Sequence, residues 1–330
     1  MEERGKKIVK CFILIAIIFV GLIGIASLFP EEDKREVWGT NEYRLESIPE
    51  DSIKYNASND PNPPVLHNDS WYEPIPMEGP ITTAGLEDSP FITPDGQTFY
   101  FWFSPIAGAA YEQQLTDHVT GIWTSDMTED GWSPPRRVWL AQDGHSLDGC
   151  PTPLGDDLLY FCSVRGGNYR DVDNYVAHLV DGEWTNIENL GELLNLGYDV
   201  GELHFSADGL SLYFGSPRPG GKGGYDLWVT HNVDGDWQEP INLESVNTEE
   251  NEAQPFLTPC ETELWFTRRY EGSPGIFRSF WNGTDWDTPE LIVSSFSGEP
   301  TLDAEGNLYF VHLYYEEAIL GADIYVAYKK

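Results

Sequence analysis

Positive charge is what this chain has least of. Only 19 Lys and Arg stand against 55 Asp and Glu, a formal net charge of −36, which excludes a nucleic-acid backbone as partner because its phosphates would be repelled. Cations, neutral sugars and basic proteins stay compatible with that field, and acidity of this kind also serves solubility in its own right. Cysteine is scarce too: Cys11, Cys150, Cys162 and Cys260 contain no Cys-x-x-Cys pair and form no zinc pattern. There is one long apolar run, and no segment outside it carries an apolar stripe at helical spacing, so a helical bundle is excluded. The glycine cluster GGKGG at 220–224 lacks the Lys-Ser/Thr ending and following helix of a phosphate-binding loop. Aromatic residues, by contrast, make up 14% of the 330 residues, enough for a sizeable core.

The apolar run is CFILIAIIFVGLIGIASLF at 11–29, uncharged throughout and preceded by Arg4, Lys6, Lys7 and Lys10. Its length can span a bilayer's hydrocarbon core, and the positive flank predicts a cytoplasmic tail at 1–10 with the remainder outside. A cleaved signal peptide is the alternative, but its apolar region is normally shorter and the GIA at 24–26 is a weak cleavage signal. The expectation is a single-pass protein of the cell membrane with an uncleaved anchor. Residues 30–69, polar and including YNASNDPNPPVLHND, read as an extracytoplasmic stalk.

From residue 70 onward the chain repeats. An aromatic pair recurs as Tyr100-Phe101, Tyr160-Phe161, Tyr213-Phe214, Trp265-Phe266 and Tyr309-Phe310, at separations of 60, 53, 52 and 44 residues. A tryptophan after a turn recurs as Trp71, Trp132, Trp184, Trp237 and Trp286, and between the two markers stand GIWTS, NYVAH, DLWVT, GIFRS and DIYVA. Turn pairs such as Asp95-Gly96, Asp208-Gly209 and Glu305-Gly306 join the first two segments of a unit at hairpin distance. Four short antiparallel strands per unit, repeated at roughly fifty residues, describe the blades of a β-propeller. The last unit ends at DIYVA without its tryptophan segment, while Trp71 precedes the first complete unit. The inferred fold is therefore all-β: a five-bladed propeller over 70–330, closed by an N-terminal strand at 70–77 and preceded by one transmembrane helix.

The stretch SADGLSLYFGSPRPGGKGGYDLWV at 206–229, with INLESVNTEENEAQPFLTP after the next tryptophan, resembles the TolB-type, WD-repeat-like β-propeller repeat. The resemblance covers about residues 70–330 and departs in the second unit, where PTPLGDD replaces the PDG-like turn. It implies the propeller fold and a home in the prokaryotic envelope. Because the family spans envelope complexes, peptidase-associated propellers and binding proteins, it implies no particular chemistry.

The site has to be sought in residues. An acid stands before each inner hairpin: Glu87 or Asp88, of which Asp88 is taken, then Asp148, Glu202, Glu252 and Glu299. If the first strand of each blade lines the channel, these five form a ligand-binding carboxylate ring whose mutual repulsion would raise their pKa values or recruit a cation, with calcium the candidate and no cofactor required. A structural reading stands beside it, in which each acid pairs with an arginine after the aromatic pair, namely Arg165, Arg218 and Arg268 or Arg269. His145 and His204 lie near the same mouth, where a lone strand histidine is usually just packed. Cys150 and Cys162 bracket one hairpin turn, as two packed thiols or as a cross-strand disulfide.

The functional expectation is a membrane-anchored module binding an envelope or extracellular protein or a polysaccharide. The alternative is a glycoside hydrolase with funnel carboxylates, which would place acids on different strands at different depths. The orientation has a direct check. Protease added to intact cells should release the propeller and spare a short anchored stub, whereas full protection of the propeller would reverse the topology.

Overall fold

The computed structural model describes residues 31–140, 146–195 and 201–330. The expected anchor at 11–29 lies outside them, and among the described residues no helix is long and apolar enough to cross a membrane.

Five antiparallel sheets follow one another along the chain. Blade I comprises Leu86–Ile92, Thr98–Ser104, Gly121–Thr128 and a split outer strand, Gly131–Trp132 and Arg136–Arg137. Blade II is Leu147–Leu154, Leu158–Val164, Asp173–Val180 and Glu183–Asn189. In blade III, Leu203–Phe205, Ser211–Ser216 and Asp226–Val233 carry the short outer pieces Asp236–Trp237 and Ile241–Asn242. Blade IV holds Glu252–Leu257, Glu263–Tyr270, Ser273–Phe280 and Glu290–Ser294. Blade V, formed by Ser297–Leu302, Leu308–Tyr315 and Ile319–Ala327, takes its outer strand from the other end of the propeller: Ile75 pairs with Val326, Pro76 with Tyr325, and Trp71 bridges Lys329. The ring thus closes as the sequence indicated.

The aromatic pairs explain why a ring forms at all. Successive side chains of a strand point to opposite faces, so each pair serves two interfaces. Tyr100 packs between blades I and II while Phe101 packs between V and I. Tyr160 and Phe161 divide in the same way, as do Tyr213 and Phe214, Trp265 and Phe266, and Tyr309 and Phe310. The core is accordingly five aromatic clusters, one at each blade junction, and each fully buried ring contributes about 1.5–3 kcal/mol. Trp71 is 1% exposed at the IV–V junction, edge-on to Trp265 and donating its indole N–H to the Gly306 carbonyl at 2.9 Å.

Residues 31–69 depart from the stalk expectation. Helices Glu31–Trp38 and Asn41–Glu46 are followed by a strap laid on the propeller. Arg44 is fully buried, its Nη2 donating to Glu87 Oε1 at 2.8 Å and to the Ile81 carbonyl, with its guanidinium over the rings of Phe101 and Phe103. Lys54 Nζ holds both Asp323 oxygens at 2.5 and 2.6 Å, Asp60 meets His312 at 2.9 Å, and Val65–Leu66 adds a fifth strand to blade IV. A single-copy polar segment has no periodicity to reveal such anchoring, which is why it reads as a stalk in sequence.

Two variants separate the closure from the strap. Deleting residues 70–77 should open the ring and cost well above the few kcal/mol of one cavity. Arg44→Ala should lower the unfolding free energy by about 3–5 kcal/mol, because it leaves Glu87 buried without its partner. An unchanged urea midpoint for Arg44→Ala would return residues 30–69 to the role of a stalk.

Candidate functional site

Four of the five inner strands reach the channel through the same local device. In blade II, Gly149 faces Cys162 and Thr152 faces Tyr160, so Cys150 and Pro151 together oppose Phe161 alone. Blades I, IV and V slip in register at the same place, between Asp88 and Phe91, Ala253 and Phe256, and Gly298 and Thr301. The first extra residue has a left-handed φ in all four: 48° at Ser89, 52° at Cys150, 55° at Gln254 and 55° at Glu299. Residues other than glycine rarely adopt that conformation, and a bulge of this kind re-aims a side chain. Here it turns Ser89, Cys150, Gln254 and Glu299 toward the axis, where Glu202 of blade III completes the wall of a cavity of about 370 Å³, counting the part open to solvent.

The five acids picked from the sequence therefore do not form one ring. Glu299 stands at the bulge position, Glu202 at the corresponding position of the unbulged blade III strand, and Asp88 one residue before the blade I bulge. Asp148 and Glu252 stand two residues before it and are withdrawn into ion pairs: Asp148 Oδ1 with Arg165 Nη2 at 2.6 Å, and Glu252 Oε1 with Arg268 Nε at 2.7 Å. Glu87 occupies the same register in blade I and takes Arg44 from the strap. Each of these arginines also lies over aromatic rings, Arg165 over Phe161 and Tyr175, and Arg268 over Phe266 and Phe277. The expectation of a single five-acid ring is corrected accordingly: the arginine pairing holds for Asp148 and Glu252, whereas Glu202 and Glu299 line the axial cavity with Asp88 near Glu299.

The axial cluster is tied together by Gln254, whose Nε2 donates to Glu299 Oε1 at 2.6 Å and to Glu202 Oε1 at 3.4 Å. Cys150 Sγ donates to Glu202 Oε1 from 3.9 Å, and the Asp88 and Glu299 carboxyls lie near enough to act on each other's titration. Burial pushes the Asp88 and Glu202 carboxyls above the usual carboxylate range, and Glu299 well above it, with the charges of Asp88 and Glu202 adding to the effect of burial at Glu299. Like charges this close share protons rather than all ionise. Gln254 and Cys150 both donate to Glu202 Oε1 and Gln254 donates to Glu299 Oε1, while Glu299 Oε2 is buried without a hydrogen-bond partner; among the described residues no group of three or more His, Cys, Asp or Glu is placed to hold a metal ion.

His204, below the cluster, accepts the Leu257 backbone N–H at Nδ1 and stacks on Phe91, with Phe256 4.6 Å away. Burial pushes its pKa down to about 3, so it is a packed neutral imidazole. His145 lies outside the described residues. The sequence reading missed Ser89, Cys150 and Gln254 as wall residues, although each directly precedes a proline, as Glu299 does. It also missed Asp173 and Asp226, buried at the head of the third strand, each accepting two backbone N–H bonds and an asparagine amide.

No protein-family model matches the sequence, and no curated protein matches it. Solved structures with a similar propeller include TolB from Acinetobacter baumannii, 14% identical with a TM-score of 0.43, the match covering 76% of this chain and 55% of that one. An alpha-L-arabinofuranosidase from Lactobacillus brevis is 13% identical with a TM-score of 0.45, covering 75% of this chain and 91% of that one. A xylan beta-1,4-xylosidase from Bacillus halodurans is 12% identical with a TM-score of 0.45, covering 76% and 54%. These are likenesses of fold, and the chain spans about half the length of the TolB it matches.

The two acid classes respond to substitution in opposite directions. A carboxyl whose folded pKa is raised binds more protons folded than unfolded, so its contribution to stability falls as pH climbs from the unfolded value toward the folded one. Glu299→Gln removes that decline. It should melt higher than the parent at neutral pH, with the gap closing toward pH 4.5, the ordinary value for the group. Glu252→Gln and Asp148→Asn should instead melt lower at neutral pH, since each strands a buried arginine. Parallel shifts in all three would mean that the two classes are one.

Proposed function

We propose that the chain is a membrane-anchored, extracytoplasmic propeller that binds a protein or polysaccharide partner on the face bearing the carboxyl-lined mouth. The observation that carries this reading is where the repeat symmetry breaks. On the opposite face the turns joining first to second strands are uniformly short, at 93–97, 155–157, 206–210, 258–262 and 303–307. On the mouth face the connections between second and third strands run 105–120, 165–172 and 217–225 in blades I to III but only 271–272 in blade IV, and the strap crosses blade V. A rigid frame with unequal loops gathered around one opening is the usual form of a recognition surface. The net charge of −36 selects basic or neutral partners on that surface.

A glycoside hydrolase is the second reading, favoured by one observation: Glu202 and Glu299 reach the axial cavity from two blades, with Asp88 near Glu299 and one residue off the register of the cavity wall. That chemistry needs two carboxyls held about 5–9.5 Å apart around the bond with room for the sugar, whereas here the Gln254 amide stands between Glu202 and Glu299, donating to both.

One experiment separates the two. Residues 31–330, which retain the strap, are screened against glycans and basic envelope proteins for binding, with turnover measured on a polysaccharide panel. Saturable binding without turnover, weakened by shortening the 105–120 loop, is expected. Turnover abolished by Glu202→Gln or Glu299→Gln with the fold intact would replace binding with hydrolysis.

A further inference from the structure

The second strand of blade II places Cys162 opposite Gly149. Glycine leaves that site without a side chain, and a Cβ there would stand 3.4 Å from the Cys162 sulfur. The bulge that follows turns Cys150 with a φ of 52°, and its sulfur comes to 2.7 Å from that of Cys162 with no atom between. Both residues are free thiols of intermediate exposure, and Cys150 lines the channel. Cys260, the other cysteine described, is exposed on a blade IV hairpin among Thr258 and Thr262.

We propose that Cys150 and Cys162 are the two halves of a reversible disulfide that sets the state of the channel wall. Neither sulfur needs more than a small approach to reach bonding distance, and the bridge would close a short cross-strand loop without opening the sheet. The oxidant is a small-molecule or protein disulfide. One cysteine thiolate attacks it and expels one thiolate; the second cysteine attacks the mixed disulfide and expels the other. One S–S bond forms in the chain, one breaks in the oxidant, and the two thiol protons end on the two released thiols.

The consequence falls on the carboxyl cluster. As a thiol, Cys150 donates its proton to Glu202 Oε1, the oxygen that also receives the longer of the two Gln254 contacts. A disulfide has no proton to give, so oxidation leaves Glu202 with Gln254, whose shorter bond goes to Glu299. The hydrogen bond with Cys162, together with burial, holds the Cys150 thiol well above its usual range, so closure should quicken as pH rises. This inference concerns chemistry within blade II and does not depend on what the mouth face binds.

The test uses the full chain in detergent, incubated with oxidised glutathione, alkylated and digested with trypsin. Residues 138–165 carry both cysteines with no Lys or Arg between them. The expected product is that peptide unalkylated and lighter by two hydrogen atoms, becoming doubly alkylated after dithiothreitol, with Cys260 recovered as a glutathione adduct. In Cys162→Ser the same treatment should leave a persistent glutathione adduct on Cys150. Recovery of the doubly alkylated peptide from the oxidised parent, or of stable glutathione adducts on it without closure, would overturn the proposal.

Discussion

The propeller depends on how a scarce guanidinium is spent. In blades I, II and IV a buried arginine lies over two aromatic rings and closes an ion pair with an acid on the inner strand: Arg44 with Glu87, Arg165 with Asp148, and Arg268 with Glu252. An ion pair cut off from water survives when its remaining donors are used and its geometry is fixed. Arg44 meets that demand by donating also to the Pro80 and Ile81 carbonyls, and Arg268 by donating to the Val246 carbonyl. The same guanidinium that ties the inner strand therefore also ties the connection entering the blade. Strand depth at the channel follows from that fixing.

Blade I obtains the same clamp from outside the repeat. Where Arg165 and Arg218 leave the second strand of blades II and III, blade I has Pro105, which cannot supply a cation. The chain makes up the deficit from outside the repeat, with Arg44 of the strap reaching the same place over Phe101 and Phe103. Blade V solves the problem differently. Ser297 stands in the register of the acid and Tyr314 near that of the arginine, its hydroxyl donating to Asp323, which Lys54 of the strap also holds. Blades I and V flank the ring closure, and both are completed by residues 44–60. The strap is thus part of the closure, together with Trp71 and the 75–76 strand.

This division also accounts for what the sequence could convey. The aromatic pairs were legible because one residue serves each of two neighbouring junctions, a requirement repeated five times with a period of two. The closing strand was legible because a spare Trp71 and a missing final segment can be matched by counting. Arg44 was not legible: it is a single arginine in a polar segment, and its role follows from an absence at residue 105. The acids were half legible. Their spacing before the hairpin showed that they belong to the inner strand, but a bulge of one residue separates Glu252, tucked under Arg268, from Glu299, facing the axis. Only the proline after Ser89, Cys150, Gln254 and Glu299 marks which residue is which.

The charge balance gains a physical meaning from the same clamps. With 19 cations for 55 acids, several of the arginines are committed inside blades, where they neutralise acids that no partner can see. The remaining acids lie on a surface that has little internal compensation, so the outward field is more negative than a uniform mixing of charges would make it. At the mouth the trend reverses. Burial raises the carboxyl pKa values of Asp88, Glu202 and Glu299, the charges of the first two adding to the effect at Glu299, so ionising the channel wall is harder than its composition suggests. On the binding reading proposed above, a partner approaching this face would be drawn by the rim and then meet a wall of carboxyl groups, an amide and a thiol that present hydrogen-bond donors as well as acceptors. That combination suits a polar, uncharged or basic segment, and it discriminates against an acidic one at both stages.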